Sequence, residues 1–188
     1  MNNEADPVWT DIRCVLPIGN GRLVLSAWPG LRITPAGDAW IDPEASATTL
    51  ADLSDLGVSV LVGLCEQTDL PPQAIAQLRH RTRQGSVRLL HAPIRDYHPP
   101  DDHFLRHWRV LSAFLHGQIE TGAAISITCS YGAGRSGTVA ALLLAEHGLP
   151  MTAAIRQVRA EFHEAIESAV QEGWLLKQFP AEKSNIRP

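Results

Sequence analysis

The sequence lacks the features that identify secreted, membrane or nucleic-acid-binding proteins. Its 188 residues include three widely separated cysteines, Cys14, Cys65 and Cys129, which predict neither a disulfide framework nor a metal-binding pair. No apolar stretch approaches the roughly 18 residues of a membrane span, and residues 1–10 are too polar for a signal peptide. The formal net charge of −4 gives no general attraction to nucleic acid. We therefore expect a reduced, cytoplasmic protein in which Cys14 and Cys65 are buried thiols.

Apolar strand-like runs alternate with longer helical patterns along the chain. This alternation predicts an α/β fold with a mostly parallel central sheet of four to five strands flanked by helices. We expect a single domain over residues 12–180, with flexible termini at 1–11 and 181–188. The predicted strands are 22–28, 58–64, 87–92 and 123–128, and the predicted helices are 45–56, 71–83, 104–118, 135–147, 152–162 and 166–179.

Ligands of parallel sheets bind beyond the carboxyl ends of the strands, which directs attention to the segments after Leu64, Ala92 and Thr128. After the last of these comes a short loop with a thiol and a guanidinium six residues apart, followed by a helix rich in Ala and Leu. Two glycines let its backbone N–H groups turn inward around a tetrahedral anion. The loop is Cys129-Ser130-Tyr131-Gly132-Ala133-Gly134-Arg135-Ser136-Gly137.

The chemistry of this loop indicates a covalent phosphatase. Arg135 can place two donors on phosphate oxygens, and the following helix N-terminus also favours negative charge. The same field stabilises Cys129 as a thiolate, which can attack phosphorus to give a phosphocysteine. Ser136 is positioned to donate to the sulfur when it leaves. We expect residues 130–135 to bind the phosphate group of the substrate.

Phosphate ester cleavage also requires a proton for the leaving oxygen. Asp96 follows the third predicted strand in a proline-rich segment, so it is the candidate general acid. The alternative is that Asp96 caps a turn. Asp101 and Asp102 are better explained as caps of the next helix.

Two segments also resemble a known family. Residues 128–137 are similar to the signature loop of the cysteine-dependent protein tyrosine phosphatase superfamily, H-C-x2-G-x2-R-[ST]-G, with Thr128 in place of histidine. Residues 93–100 resemble the acid loop of compact dual-specificity phosphatases, especially the kinase-associated phosphatase-like branch. The similarity runs from about residue 21 to 179. It implies the phosphatase fold and no cofactor. It also implies that the Cys129 thiolate is tuned differently, because Thr128 replaces the usual histidine. Gln171 would position water or brace the acid loop; the alternative is that Gln171 faces solvent.

The resulting hypothesis is a dual-specificity phosphatase that acts on phosphotyrosine, and on phosphoserine or phosphothreonine, in a protein or peptide. Alternatives are a phosphoinositide or inositol phosphate phosphatase, a phosphoprotein-binding module without turnover, and a rhodanese-like sulfur transferase. The neutral residues of the loop, Ser130, Tyr131 and Ala133, disfavour highly charged head groups. His103 and His107 are four residues apart but lack further metal ligands, so no metal is expected. The basic run 79–83 is interpreted as a solvated helix face.

Overall fold

The computed structural model describes residues 11–178, and a five-stranded sheet lies at its centre. The sheet has the order β1-β2-β7-β5-β6, and a separate hairpin is formed by β3 and β4. The strands are β1 Ile12–Ile18, β2 Gly21–Ala27, β3 Leu31–Ile33, β4 Ala39–Ile41, β5 Val58–Gly63, β6 Arg88–His91 and β7 Ala124–Cys129. The helices are α1 Pro43–Asp55, α2 Ala74–Arg83, α3 Asp102–Glu120, α4 Gly134–Glu146, α5 Met151–Glu161 and α6 Ala169–Gln178. Among these helices, none is long and apolar enough to cross a bilayer.

Four strands of the sheet are parallel and end at the same edge. β2 and β5 both pair in parallel with β7, and β6 pairs in parallel with β5. The register places Ala27 opposite Cys129, and Gly63 opposite both Thr128 and His91. The predicted mostly parallel sheet is confirmed, and the segments after β5, β6 and β7 share one edge.

The centre of the sheet is covered by an unusually buried helix. Every residue of β7 is buried, as expected for an apolar strand between two layers. α4 packs on β7, α5 and α6, and twelve of its thirteen residues are buried. A side chain on Gly137 would lie 2.8 Å from the Cβ of Ala165, so a glycine there allows the segment before α6 to approach α4. This contact brings residues near 165 next to the loop that precedes α4.

The sequence analysis did not predict β1, β3 or β4, and of these three strands only β1 belongs to the central sheet. β1 pairs antiparallel with β2 through a two-residue turn, in which Gly19 has a φ of +50°. Pro17 interrupts the hydrophobic pattern of this strand. A proline is tolerated there because β1 is an edge strand with one side unpaired.

Asp11 was predicted to belong to a flexible leader, and this was wrong. It is buried, and its carboxylate accepts hydrogen bonds from Gly30 N at 2.7 Å, Thr49 Oγ1 at 2.7 Å and Arg32 Nη1 at 2.9 Å. Its carbonyl accepts from Ala27 N at 2.7 Å. These hydrogen bonds connect the start of β1 to the chain after β2, and they hold Asp11 in a fixed position.

Helix boundaries differ from the predicted ones by a few residues. α1 begins at Pro43 rather than at the predicted residue 45, because the Asp42 side chain caps it by accepting from Glu44 N and Ala45 N. The rest of the predicted leader and the predicted tail lie outside the described residues. A single domain over residues 12–180 stays a prediction.

Candidate active site

The loop between β7 and α4 closes over the sulfur of Cys129. Cys129 is buried at the end of β7, and Gly132 N donates a hydrogen bond to its Sγ at 3.2 Å. Gly132 has a φ of +95°, and a Cβ there would lie 2.6 Å from the carbonyl carbon of Ser26. Only glycine fits both the backbone angle and the approach to β2. The predicted turn of the loop therefore depends on this residue.

Arg135 is buried at the start of α4, where its guanidinium joins three segments. Nη1 donates to the Asp69 carboxylate and, at 3.1 Å, to the carbonyl of Ile94. Nη2 donates to Ser130 Oγ at 2.9 Å and lies 3.0 Å from Asp96 Oδ1. The segments after β5, β6 and β7 thus meet at one side chain.

Two buried polar atoms at this point have no partner among the described residues. They are Arg135 Nε and Ser136 Oγ. An unpaired buried donor costs free energy unless a ligand satisfies it. Burial alone would lower the pKa of Arg135, but the negative charges that Cys65, Cys129 and the facing carboxylates carry when ionised raise it above its ordinary value. The guanidinium is therefore a permanent cation with a free N–H, beside the amino end of α4, and this geometry fits a bound anion.

Asp96 lies at the same site, on the segment after β6. Its carboxylate is half-exposed and is paired with Arg135 Nη2. A phosphate oxygen bound to Nη2 would compete with Asp96 for that donor, so the carboxyl group borders the position that a bound phosphate would take. The predicted proximity of Asp96 to the loop is present in the structure.

The segment that carries Asp96 is held by the segment leading into α6. Ser168 Oγ donates to the Tyr97 carbonyl at 3.0 Å, and Gln171 Nε2 donates to the His98 carbonyl at 3.4 Å. Tyr97 has a φ of 57°, which is unfavourable for a non-glycine residue and needs such support. Gln171 is fully buried, so the solvent-facing alternative was wrong. Its observed contact, with the His98 carbonyl, fits the role of bracing the acid loop.

Glu167 is a site residue that the sequence analysis missed. Its carboxylate lies against Gly134, at the start of α4, where an added Cβ would stand 2.4 Å from Glu167 Oε2. Burial, and then the negative charge of Asp96, raise its pKa. An incoming anion would have to displace this carboxylate from the loop. Its only sequence signal was its position four residues before Gln171.

Asp69 was also missed, although it follows β5 at the predicted edge. Its Oδ2 accepts from Glu66 N at 2.8 Å as well as from Arg135, so a short 3-10 turn holds the carboxylate in place. Cys65 lies nearby, with its sulfur 3.5 Å from Ser130 Oγ. Burial raises the pKa of Cys65 to about 12, which leaves it a neutral thiol at neutral pH. Cys65 is buried, as predicted, whereas Cys14, which was also predicted to be buried, is only partly so.

Several other predicted residues have structural contacts. Thr128 is buried and donates to the Ala27 carbonyl at 2.7 Å, so its hydroxyl proton is directed to β2 and not to Cys129. Asp101 caps α3 by accepting from Phe104 N at 2.8 Å, and Asp102 is exposed in the first turn. The prediction of a helix cap is thus confirmed for Asp101, whereas Asp102 is the first residue of the helix itself. Ser136 makes no hydrogen bond to the Cys129 sulfur.

A metal site would require several ligands around a common point. In residues 11–178 no three His, Cys, Asp or Glu side chains are grouped in this way. His103 and His107 contact each other, with ring centroids 4.6 Å apart, and His107 Nδ1 bonds the His103 carbonyl at 2.9 Å.

Solved structures with the same fold were found for nearly the whole chain. The kinase-associated phosphatase with its catalytic-site cysteine replaced by serine matches with a TM-score of 0.74 and 20% identity, over 94% of this chain and 99% of that chain. Tk-PTP in its active form matches with a TM-score of 0.63 and 24% identity, over 92% and 97%. Human DUSP28 matches with a TM-score of 0.61 and 20% identity, over 93% and 96%. At these identities the likeness establishes the fold.

No curated protein sequence matches this chain. A family model does match residues 33–180, which include the Cys129–Arg135 loop, Asp96 and Gln171. The model describes the Swiss Army Knife protein, DSP-PTPase phosphatase domain. The chain therefore belongs to this family of cysteine-dependent, dual-specificity-type phosphatase domains.

Proposed function

We propose that the protein hydrolyses phosphotyrosine, together with phosphoserine or phosphothreonine, in phosphoproteins through a phosphocysteine intermediate. The observation that carries this proposal is the Cys129 sulfur beneath a loop in which Arg135 Nε is buried and unpaired. A phosphoryl group bound to that donor and to the loop N–H groups would lie directly above the sulfur. The family assignment supports a phosphatase; the residue roles are inferred from the geometry.

In the first step, the phosphate ester displaces the Asp96 and Glu167 carboxylates from Arg135 and Gly134. The Cys129 thiolate attacks phosphorus and forms an S–P bond while the P–O bond to the leaving group breaks. Asp96, in its protonated form, gives its proton to the leaving oxygen. Arg135 and the loop amides hold the three equatorial oxygens as their charge redistributes.

In the second step, water attacks the phosphocysteine. Asp96, now ionised, accepts a proton from the water, and the S–P bond breaks to return the thiolate. The unpaired Ser136 hydroxyl can donate to the departing sulfur. Gln171 keeps the acid segment in position through the His98 carbonyl. Inorganic phosphate then leaves the loop.

The rim of the site favours a phosphoprotein over a polyphosphorylated head group. Tyr131, in the loop, and Tyr97, beside Asp96, are 51% and 59% exposed and can pack against an aromatic substrate side chain. Two carboxylates also border the site: Glu164, which accepts from the Tyr131 hydroxyl at 2.8 Å, and Glu167. These negative charges would repel the additional phosphates of an inositol polyphosphate.

A side-by-side substrate panel tests this proposal. The panel contains one peptide sequence phosphorylated on tyrosine, serine or threonine, together with phosphoinositide vesicles and inositol polyphosphates. We expect kcat/KM to be highest for the phosphotyrosine peptide, because the two exposed tyrosines contact its ring. A higher value for any phosphoinositide or inositol phosphate would contradict the proposed substrate class.

Asp96→Asn is expected to lower kcat for phenyl phosphate by roughly 10²–10⁴-fold, since phenolate is a poor leaving group that needs a proton. The loss for p-nitrophenyl phosphate should be smaller, because nitrophenolate leaves more readily without one. The slope of log kcat against leaving-group pKa, measured over a series of aryl phosphates, reports this difference.

Asp102→Asn is the matched control for Asp96→Asn. Asp102 is exposed at the start of α3 and should leave the leaving-group series unchanged. Asp101→Ala removes a helix cap and should lower stability by about 1 kcal/mol without a leaving-group effect. If either of these variants makes log kcat fall more steeply with leaving-group pKa, Asp96 is not the general acid.

A further inference from the structure

A second concave surface lies between β6 and α3, outside the site already described. It is a groove of about 720 Å³, lined by one face of α3 and by the end strand of the sheet. The α3 residues follow a helical spacing of three and four, from His103 through His107 and Val110 to Phe114. The groove is therefore a continuous channel along the helix.

The walls of this groove are apolar and partly open to solvent. Val110 is 78% exposed and Phe114 is 38% exposed, while Leu90 and Leu111 are half-buried. Large apolar side chains grouped on a concave surface mark binding sites more often than scattered ones do. Val110 and Phe114 lie one turn apart on α3, so a ligand in the groove would cover both.

The charge of the groove is opposite to that of the chain. Its lining includes Arg88, Arg106 and three histidines, His91, His103 and His107, and no acidic residue. Neither arginine forms an ion pair with another residue of the 11–178 segment. The whole sequence, in contrast, carries a net charge of −4. A ligand that combines apolar and acidic side chains would complement this surface.

The shape of the groove suits an extended segment. β6 contributes four residues, or about 13 Å, and the stretch of α3 from His103 to Phe114 spans about 17 Å. Within residues 11–178, β6 has no neighbouring strand on its outer side. Because Ala92 N bonds to Gly63 O, strand alternation directs the backbone groups of Leu89 and His91 away from β5. An extended chain could bond to this open edge.

The groove also leads to the active site. Ala92 and Pro93 line its end, and Asp96 follows three residues later. Phe104, near the start of α3, lines the same end, and Phe114 lies toward the opposite one. A polypeptide with its phosphorylated residue at the Cys129 loop could therefore continue past the acid segment into the groove.

We propose that the groove between β6 and α3 docks an extended acidic and apolar segment of the phosphoprotein substrate, separate from the phosphorylated residue. This inference rests on the proposed phosphatase function, because the docked segment is taken to belong to a substrate, although docking itself requires no catalysis. Four or five residues would fill the groove, with apolar side chains against Val110 and Phe114 and acidic ones beside Arg88 and Arg106.

The binding test uses a fluorescein-labelled, unphosphorylated peptide in which Glu and Leu alternate, titrated with the full chain and followed by anisotropy. A Lys/Leu peptide and a Glu/Ser peptide serve as ligand controls. We expect saturable binding of the Glu/Leu peptide only, weakened roughly tenfold by Arg88→Glu/Arg106→Glu and similarly by Val110→Asp. Arg109→Glu/Arg156→Glu makes the same charge change at exposed positions outside the groove and should bind normally.

The kinetic test joins the Glu/Leu segment to a phosphotyrosine peptide through Gly/Ser spacers of several lengths. The joined peptide should have a lower KM than the core peptide, and the groove variants should lose this advantage while hydrolysing p-nitrophenyl phosphate normally. Equal binding of all peptides, or equal binding by all variants, overturns the inference. So does a dimer, measured by sedimentation, that Val110→Asp dissociates while no peptide binds. Peptide binding without any phosphatase activity would instead overturn the proposed function alone.

Discussion

Cys129→Ser is expected to reduce turnover of p-nitrophenyl phosphate to background, a loss of roughly 10⁶-fold, as when other covalent nucleophiles are removed. A serine hydroxyl at this position is not ionised at neutral pH, so it lacks the negative charge that makes the thiolate a nucleophile. Anion binding should survive, because the loop N–H groups and Arg135 are unchanged. Isothermal titration with tungstate should therefore give an affinity close to that of the wild type.

The other two cysteines provide matched controls for this substitution. Cys14 lies on β1, and burial, followed by the charge of Glu161, raises the pKa of its thiol to about 11. Cys14→Ser should keep full activity. Cys65→Ser changes a buried thiol 3.5 Å from Ser130, so a modest loss is expected there.

Acid-quenched wild-type enzyme should carry a phosphoryl group on the peptide that contains Cys129, measured by mass spectrometry. Residual turnover by Cys129→Ser, or a phosphoryl group on a Cys65 peptide, would show that the nucleophile has been misassigned. Loss of tungstate binding together with activity would indicate a collapsed loop, which a thermal melt distinguishes from a chemical effect.

The fold was largely predictable from the sequence because its central strands and helices are simple. β5 and β7 are short runs rich in β-branched residues, and residues 140–145 of α4 are all Ala or Leu. These patterns reflect burial on all sides, which the sequence records directly. β1 was missed because an edge strand has one unpaired side and tolerates Pro17. β1 is a strand because it pairs with β2, and its own sequence pattern does not indicate one.

The candidate site was predictable where one segment holds several of its residues, and not where it depends on contacts across the fold. Cys129, Gly132 and Arg135 lie on one loop, so their spacing alone indicates an anion site. Asp69 and Glu167 reach Arg135 and Gly134 from 66 and 33 positions away in the chain. An acidic residue in a turn has many possible roles, and only the packing of the sheet edge selects this one.

Asp69 makes the consequence of changing Arg135 predictable in detail. Arg135→Lys is expected to lower kcat/KM by about 10³-fold, the scale of losing a hydrogen-bond donor to the transition state. The positive charge is kept, so the loss is one of geometry. A lysine ammonium cannot bond Asp69, the Ile94 carbonyl and Ser130 while also presenting a donor to phosphate, as the planar guanidinium does.

Asp69→Asn tests whether that geometry is set by the carboxylate. An asparagine oxygen can still accept from Glu66 N, but its bond to the guanidinium loses the charge. We expect roughly a tenfold loss in kcat/KM and a parallel weakening of tungstate binding. The protein should stay folded, because the 3-10 turn around Asp69 keeps its backbone hydrogen bond.

The double variant Arg135→Lys/Asp69→Asn then separates a positioning role from an independent one. If Asp69 acts only by orienting the guanidinium, the double variant should lose about as much activity as Arg135→Lys alone, since no guanidinium remains to orient. This coupling would be contradicted if the loss in kcat/KM of the double variant equalled the product of the losses of the two single variants, with all four proteins equally folded by circular dichroism. That result would mean that Asp69 affects the reaction through a route other than Arg135.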